Sequence, residues 1–206
     1  MAQMNCPKCG YGLGEKRARI KMMTCPSCAT TLFVDSDALR LAGEQGVMHD
    51  HPMLLALGRN ARIEGQTFRI IGHARYSYGA GTWDEFWALD VDGDGAWISV
   101  DEGDVVVQRR LPRNVAQGLP RMPALGETVR LNGVAFTVTE VETATCEALR
   151  GAFPEVLMVG EQHQFVNCTA NGAQLLSGEF WDDQASWYQG LWVDPFDVIA
   201  DPQVMA

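Results

Sequence analysis

The feature that most constrains the fold is a set of four cysteines near the N-terminus, arranged as two C-x2-C pairs with fifteen residues between them. The pairs are Cys6 with Cys9 and Cys25 with Cys28. This spacing is typical of zinc sites, because each pair holds the ion from a tight turn and two pairs complete a tetrahedron. Four protein ligands leave no open position, so we predict a structural zinc ion. Two disulfides or a redox pair are the alternative, which the doubled motif disfavours.

The segment around these cysteines, residues 1–35, is predicted to be a zinc ribbon. Arg17 to Thr24 and Thr30 to Val34 are its predicted strands. The segment contains few apolar residues, so its folding is expected to depend on the metal. Structural zinc supplies on the order of 10–16 kcal/mol in small modules.

Charge is distributed unevenly between the ribbon and the rest of the chain. The net charge is −10, yet every lysine lies in the ribbon. An acidic body disfavours nucleic-acid binding, which depends on cations that displace counterions. A solvated charged hairpin is the simplest interpretation of the basic ribbon. The side chains that could contact nucleic acid or an acidic partner are Lys16, Arg17, Arg19 and Lys21.

Length and composition are those of a globular protein. The chain has 206 residues and a hydrophobic share of 47%, which suits one or two domains. No apolar run approaches the roughly 18 residues needed to cross a bilayer, and the N-terminus lacks the pattern of a signal peptide. We therefore predict a cytoplasmic protein, in which reduced thiols can hold zinc.

The rest of the chain divides into a connector and a β-rich body. Residues 36–57 are predicted to be a partly helical connector, in which Ser36 or Asp37 caps a short helix. Residues 58–200 contain short strand-like runs between Gly/Asp turns, which predicts an all-β domain built as an antiparallel barrel or sandwich. A loop with three prolines, residues 111–125, divides this body.

We interpret the body as a duplication, with residues 58–110 and 126–200 as the two units. The tripeptide Glu-Phe-Trp at 85–87 recurs 94 residues later at 179–181, which predicts an insertion within 142–165. Neither unit buries enough apolar surface alone, so the two are expected to share one core. Six further positions recur at a constant offset of 68 residues: Gly58, Arg62, Ile63, Gly65, Phe68 and Ile70 match Gly126, Arg130, Leu131, Gly133, Phe136 and Val138.

Two acidic–aromatic segments are the candidate ligand- or partner-binding sites of the body. Strand alternation would place Glu85 and Trp87 on one face, and symmetric packing would bring Glu85 and Glu179 to one cleft. Carboxylates beside aromatic rings suit an ammonium or a polyamine. The alternative is that the aromatics are core and that the glutamates pair with backbone or arginine groups. The candidate residues are Asp84, Glu85, Trp87, Glu179 and Trp181.

Other motifs favour structural roles. The acidic run from Asp90 to Gly95 resembles the start of a calcium loop, but its flanks alternate as strands do, so a hairpin turn is predicted. His73 and His163 are isolated in sequence and are expected to be structural or surface residues. The sequence contains no nucleophile elbow, phosphate-binding loop or dinucleotide fingerprint. We therefore predict that the protein is not an enzyme.

The body resembles a family of bacterial domains of unknown function, family 4178. The resemblance covers about residues 58–197 and is carried by Tyr76 to Trp97 and by the Gly-Glu-Phe-Trp run at 178–181, followed by Trp187 and Pro195. The resemblance is also consistent with the predicted zinc ribbon, because some members of this family carry one before the domain. The resemblance implies no established activity, and it suggests an accessory role near membrane-stress or polyamine systems.

Three functional hypotheses follow from these patterns. The first is a non-catalytic adaptor whose zinc ribbon docks a protein partner. The second is a binding module that holds a small cation, such as a polyamine, between Glu85 and Glu179 with Trp87 and Trp181. The third and weakest is nucleic-acid contact through the basic ribbon.

Overall fold

The computed structural model describes residues 3–15, 19–35, 39–49, 52–182 and 184–201, and it is mainly β. Its helical elements are α1 (Arg113–Ala116) and a 3-10 turn (Pro195–Asp197). Within the described ranges, no helix combines the length and apolar character needed to cross a membrane. The strands are β1 (Gln3–Asn5), β2 (Gly12–Glu15), β3 (Met22–Thr24), β4 (Thr30–Val34), β5 (Leu39–Glu44), β6 (Asn60–Ile63), β7 (Gln66–Ser77), β8 (Thr82–Asp90), β9 (Gly95–Asp101), β10 (Asp104–Arg110), β11 (Thr128–Leu131), β12 (Val134–Phe153), β13 (Gln162–Ala170), β14 (Gln174–Trp181), β15 (Gln184–Val193) and β16 (Ile199–Ala200).

Eight strands of the body close into an antiparallel barrel. Their order is β7-β8-β9-β10-β15-β14-β13-β12, and β12 returns to pair with β7. Closure leaves no unpaired edge within the ring, so the backbone groups of these eight strands are satisfied by their neighbours. The sequence predicted an antiparallel barrel or sandwich, and the structure has the barrel.

The two halves of the body have the same strand order. In each half a short strand pairs with the long strand that follows it, as β6 with β7 and β11 with β12. The first strands begin 68 residues apart, at Asn60 and Thr128, whereas β8 and β13 begin 80 residues apart. The duplication of sequence stays a prediction. The strand order makes β8 equivalent to β13, and β9 equivalent to β14. The predicted equivalence of Glu85 and Glu179 is therefore wrong, because these residues lie in β8 and β14.

Two apolar cores lie on the outer face of the barrel wall. Phe86 and Ile98 belong to the first core, and they alternate along β8 and β9 with Glu85 and Ser99, which face the interior. The first core is covered by β6 and the segments that contain Leu55 and Val198. The second is covered by β11 and the region of α1. Because each half buries its apolar face outward, the interior of the barrel is free to be polar.

The ribbon is joined to the barrel by a continuous sheet. Strand β3 pairs with the end of β12, where Met22 lies opposite Phe153. Met22 is fully buried in one cluster with Phe153, Trp97 and Leu157, which we call the floor cluster. The ribbon therefore packs against the barrel rather than projecting from it.

The predicted helix of the connector is wrong. Leu39–Glu44 forms β5, which pairs with β4, while Ser36 and Asp37 lie outside the described residues. The alternate positions of Leu39 and Leu41 follow the period of a strand, and β4 offers an open edge for it. Thr30–Val34 is a strand as predicted, and the loop between the two halves contains only α1.

Candidate functional site

The four cysteine sulfurs lie close enough to share one ion. All four Sγ atoms are within 4.8 Å of one another, with 3.8 Å between Cys6 and Cys28 and 3.7 Å between Cys9 and Cys25. A tetrahedron with Zn–S bonds of about 2.3 Å has edges of about 3.8 Å. A disulfide would need sulfurs about 2.05 Å apart, and the cysteines are free. The donor set therefore fits a metal ion.

Two similar turns present these sulfurs. The Gly10 N–H donates to the Cys6 carbonyl at 2.8 Å, and the Ala29 N–H donates to the Cys25 carbonyl at 3.0 Å. Gly10 and Ala29 both adopt a left-handed backbone, with φ of 76° and 58°. Burial raises the pKa of Cys25 to about 11, while hydrogen bonding from Thr30 lowers that of Cys28 to about 6. A cation among the four sulfurs would favour the thiolate in both.

The barrel encloses a cavity of about 200 Å³, which we call the acidic cavity. Glu85 and Glu179 both line it, so the structure brings together the two glutamates that were predicted to share a cleft. Among its described lining residues, none is a lysine, an arginine or a histidine. Seven carboxylates line the cavity: Glu85, Asp101, Asp104, Glu140, Glu142, Glu155 and Glu179.

Glu85 is held by neutral donors. Its Oε1 accepts hydrogen bonds from the Ser99 hydroxyl at 2.8 Å and from the Trp83 indole N–H at 3.1 Å. Burial, with a smaller contribution from the nearby charges of Glu179 and Glu155, raises the pKa of Glu85 to about 7 against the effect of the two donors. The negative charge of Glu85 is thus left without a cationic partner in the described part of the chain.

Glu179 is held by His163, which was predicted to be a structural or surface residue and not assigned to the candidate site. His163 Nδ1 is 2.5 Å from Glu179 Oε1, and the Tyr188 hydroxyl donates to Oε2 at 3.3 Å. Burial lowers the pKa of His163, but the bond to Glu179 outweighs this effect and raises it. Trp181 stacks on His163 with ring centroids 5.0 Å apart and does not line the acidic cavity.

Glu155 is a cavity residue that sequence reasoning missed. It follows the end of β12, where no local motif marks it. Burial, together with the charge of Glu179, raises the pKa of Glu155 to about 7. Arg110 approaches Glu155 at 3.2 Å, but Arg110 is half exposed and is not a lining residue.

Asp84 and Trp87 lie apart from the cavity. Asp84 is buried on the opposite side of β8, where it accepts from Arg75 Nε at 2.9 Å and lies 2.7 Å from His73 Nε2. Burial raises the pKa of Asp84, but these two partners outweigh that effect and lower it. Trp87 points to the same face as Glu85, as predicted, yet it packs against Trp97 with ring centroids 5.2 Å apart.

An aromatic wall lines one side of the acidic cavity. Trp83 stacks on Tyr76 with centroids 5.3 Å apart and on Tyr78 with centroids 5.9 Å apart. Phe165 meets Trp83 edge-on at 5.1 Å. All four rings line the cavity, so its carboxylates are interleaved with π-faces.

The basic ribbon and the acidic turn contact each other. Arg19 Nη1 forms an ion pair with Asp94 at 2.9 Å, and Lys16 and Arg17 lie outside the described residues. The predicted hairpin turn between β8 and β9 is confirmed. Asp90 Oδ1 accepts from the Asp92 and Asp94 N–H groups, as turn-forming aspartates do.

Comparison with known proteins identifies the body. No curated protein and no solved structure matches the chain. One family matches residues 56–195, which contain the whole barrel and the acidic cavity. This match covers more than half of the chain, and the chain therefore belongs to the family described as the domain of unknown function DUF4178.

Proposed function

We propose that this protein is a non-catalytic binding protein that holds a small organic cation in the acidic cavity. The single observation that supports it is the lining of that cavity, which combines seven carboxylates and an aromatic wall without a basic side chain. A cation would offset the cost of keeping like charges close together in a partly buried site. The aromatic faces add a cation–π attraction for an ammonium group.

Glu85 supports this proposal through its own environment. Its hydrogen bonds come from a hydroxyl and an indole, which orient the carboxylate without neutralising it. Asp84, its neighbour in sequence, is instead paired with Arg75. Among the described residues, the fold thus supplies a cation to Asp84 outside the cavity and none to Glu85 inside it.

We further propose that the cysteine site holds zinc in a structural role. Four thiolates in a tetrahedron select zinc over the harder divalent ions that oxygen ligands prefer. A reducing compartment such as the cytoplasm would keep these thiols able to bind the ion. The ion would fix the two cysteine turns and hold β3 in position against β12.

The adaptor hypothesis has less support. Strand β3 is paired with β12 and Met22 is buried, so this side of the ribbon is already occupied. Contact with nucleic acid through the ribbon is also less supported, because Arg19 is engaged by Asp94.

Calorimetry with spermidine tests the proposed function on the full-length, zinc-loaded protein near pH 8. We expect saturable binding and a change in tryptophan fluorescence, because Trp83 and Trp97 line the cavity. The double variant Glu85→Gln with Glu179→Gln should weaken binding by at least about tenfold, which is 1.4 kcal/mol. Glu64→Gln, which removes one negative charge at an exposed turn outside the cavity, is the control for the loss of charge alone. Absence of heat and of any fluorescence change with the wild-type protein would refute the proposal.

A further inference from the structure

The carboxylates of the acidic cavity form two groups. The inner group is partly buried and consists of Glu85, Glu155 and Glu179; the last two have side-chain exposures of 14% and 12%. The rim group consists of the partly exposed Asp101 and three exposed residues. Those three rim residues are Asp104, Glu140 and Glu142.

Electrostatic effects on the tyrosines follow the same division. Burial raises the pKa of Tyr76 and of Tyr188, and Glu179 and Glu155 of the inner group raise both further. For Tyr78 the largest effect comes from Asp101, followed by burial, by Glu102 beside the rim, and by Glu140 and Glu142 of the rim. Each group of carboxylates therefore creates its own centre of negative potential.

Asp101 marks the rim centre independently. Its Oδ1 is shielded from solvent and has no hydrogen-bond partner among the described residues. Burial raises the pKa of Asp101, and Glu140, Glu102 and Asp104 raise it further. A buried carboxylate oxygen without a partner is costly, so it indicates a place where a donor from a ligand would be favourable.

The aromatic wall connects the two centres. Tyr78 belongs to the rim, Tyr76 belongs to the inner end, and Trp83 is stacked between them. A surface of this kind favours a hydrocarbon chain, while the charged ends of the chain would face carboxylates. The cavity volume of about 200 Å³ is below the roughly 300–1,000 Å³ of pockets for drug-sized ligands. The occupant is therefore slim.

We infer that the occupant is a linear amine with two cationic centres, one held by the inner group and one by the rim group, joined by an alkyl chain against the aromatic wall. This inference rests on the proposed function, since it specifies which cations the same cavity selects. A monoamine could satisfy one centre only. A small inorganic divalent ion could not use the aromatic wall.

Calorimetry with butylamine and putrescine on the full-length, zinc-loaded protein tests the inference, because these amines share a four-carbon chain and differ in one ammonium group. At constant ionic strength, putrescine should bind at least about tenfold more tightly. The rim variant Asp101→Asn with Asp104→Asn should reduce the affinity for putrescine toward that for butylamine and leave the affinity for butylamine unchanged. Glu85→Gln should weaken both amines.

The possible outcomes separate this inference from the proposed function. If neither amine nor spermidine binds, the proposed function fails and the inference fails with it. If both amines bind equally, or if Mg²⁺ displaces putrescine at equal concentration, cation binding stands and the two-centre inference is overturned. If the rim variant does not fold, the affinities of the wild-type protein for the two amines are sufficient to support or overturn the two-centre inference.

Discussion

The ribbon and the barrel both surround a centre of negative charge, but they spread that charge over different distances. In the ribbon, four sulfurs lie within 4.8 Å of one another, so one small ion can contact them all. In the barrel, seven carboxylates surround a cavity of about 200 Å³, which a single small ion cannot bridge. The comparison teaches that the spacing of the anionic groups, rather than their number, decides which kind of cation a site can hold.

The two regions also differ in what holds them together without a cation. Among the described residues, three buried ones form the apolar cluster beside the cysteines, namely Cys6, Cys25 and Leu32. The barrel has a separate apolar core for each half, on the outer face of its wall. We therefore expect the ribbon to depend on its ion for folding, whereas the barrel should remain folded with an empty cavity.

Removal of the metal should have the largest effect, because it should unfold the ribbon and leave the barrel folded. In the variant Cys25→Ser with Cys28→Ser, the ribbon should lose on the order of 10 kcal/mol of metal-linked folding free energy. Hydrogen exchange by mass spectrometry should show loss of protection in β3 and β4, with protection retained in β8 and β14. Ser27→Ala, which changes an exposed residue between the two ligands, should leave the exchange pattern unaltered. Full protection of the ribbon in the metal-free protein would contradict this view.

The neighbours Asp84 and Glu85 allow a sharper comparison of carboxylates with and without a protein cation. Asp84→Ala removes the carboxylate that pairs with the buried Arg75 and should lower the free energy of unfolding by about 3–5 kcal/mol. Glu85→Gln removes a charge that the protein does not neutralise, so stability near pH 8 should stay the same or rise. Chemical denaturation of both variants measures the difference. Equal losses of stability would show that the two carboxylates are held in the same way.

The cavity should make the stability of the barrel depend on pH. The pKa values of Glu85 and Glu155 rise from 4.5 to about 7, so the folded state binds more protons than the unfolded state between these values. The free energy of unfolding should therefore fall as pH rises through this window, by about 7 kcal/mol at most if both carboxyls contribute fully. His163, whose pKa is also raised, loses its stabilising contribution above its ordinary value of 6.5, in the same direction.

Thermal unfolding from pH 5 to pH 8 measures this slope. Glu85→Gln should flatten it, and a saturating cation should flatten it in the wild-type protein, because the bound cation lowers the pKa of the cavity carboxylates. A stability that rises with pH across the window would contradict the assignment of unneutralised carboxylates to the cavity.

The smallest expected effect concerns the two cysteine turns. Ala29 has a φ of 58°, in the region that Gly10 adopts in the first turn with a φ of 76°. Ala29→Gly should stabilise the ribbon by up to about 1 kcal/mol, because glycine adopts this backbone without strain. Gly10→Ala should have the opposite effect. Metal competition with a chelator, followed at equilibrium, can detect both changes, and an identical zinc affinity in all three proteins would refute the argument.

The extent to which the sequence predicts this molecule depends on how local each feature is. The cysteine site, the strand from Thr30 to Val34 and the turn from Asp90 to Gly95 are encoded by nearby residues, and each could be predicted. The ring of eight strands depends on pairings such as β7 with β12, which join residues far apart in the chain.

The composition of the cavity was predictable only in part. Strand alternation separates Asp84 from Glu85, but it does not indicate which of the two faces the interior of a barrel. Glu155 and His163 belong to no motif and reach the site through the packing of β12, β13 and β14. The helix predicted around Leu39 failed because residues that alternate along a strand were interpreted as one turn of a helix.

The pairing of β3 with β12 restricts rotation of the ribbon relative to the barrel. Met22 occupies the floor cluster, and Cys25 follows only three residues later on the same short strand and turn. A displacement of the cysteine turns would therefore move β3 and change the packing of Met22 against Phe153 and Trp97. Trp97 and Leu157 of the floor cluster also line the acidic cavity. Loss of the metal should therefore alter the shape of the cavity at this side.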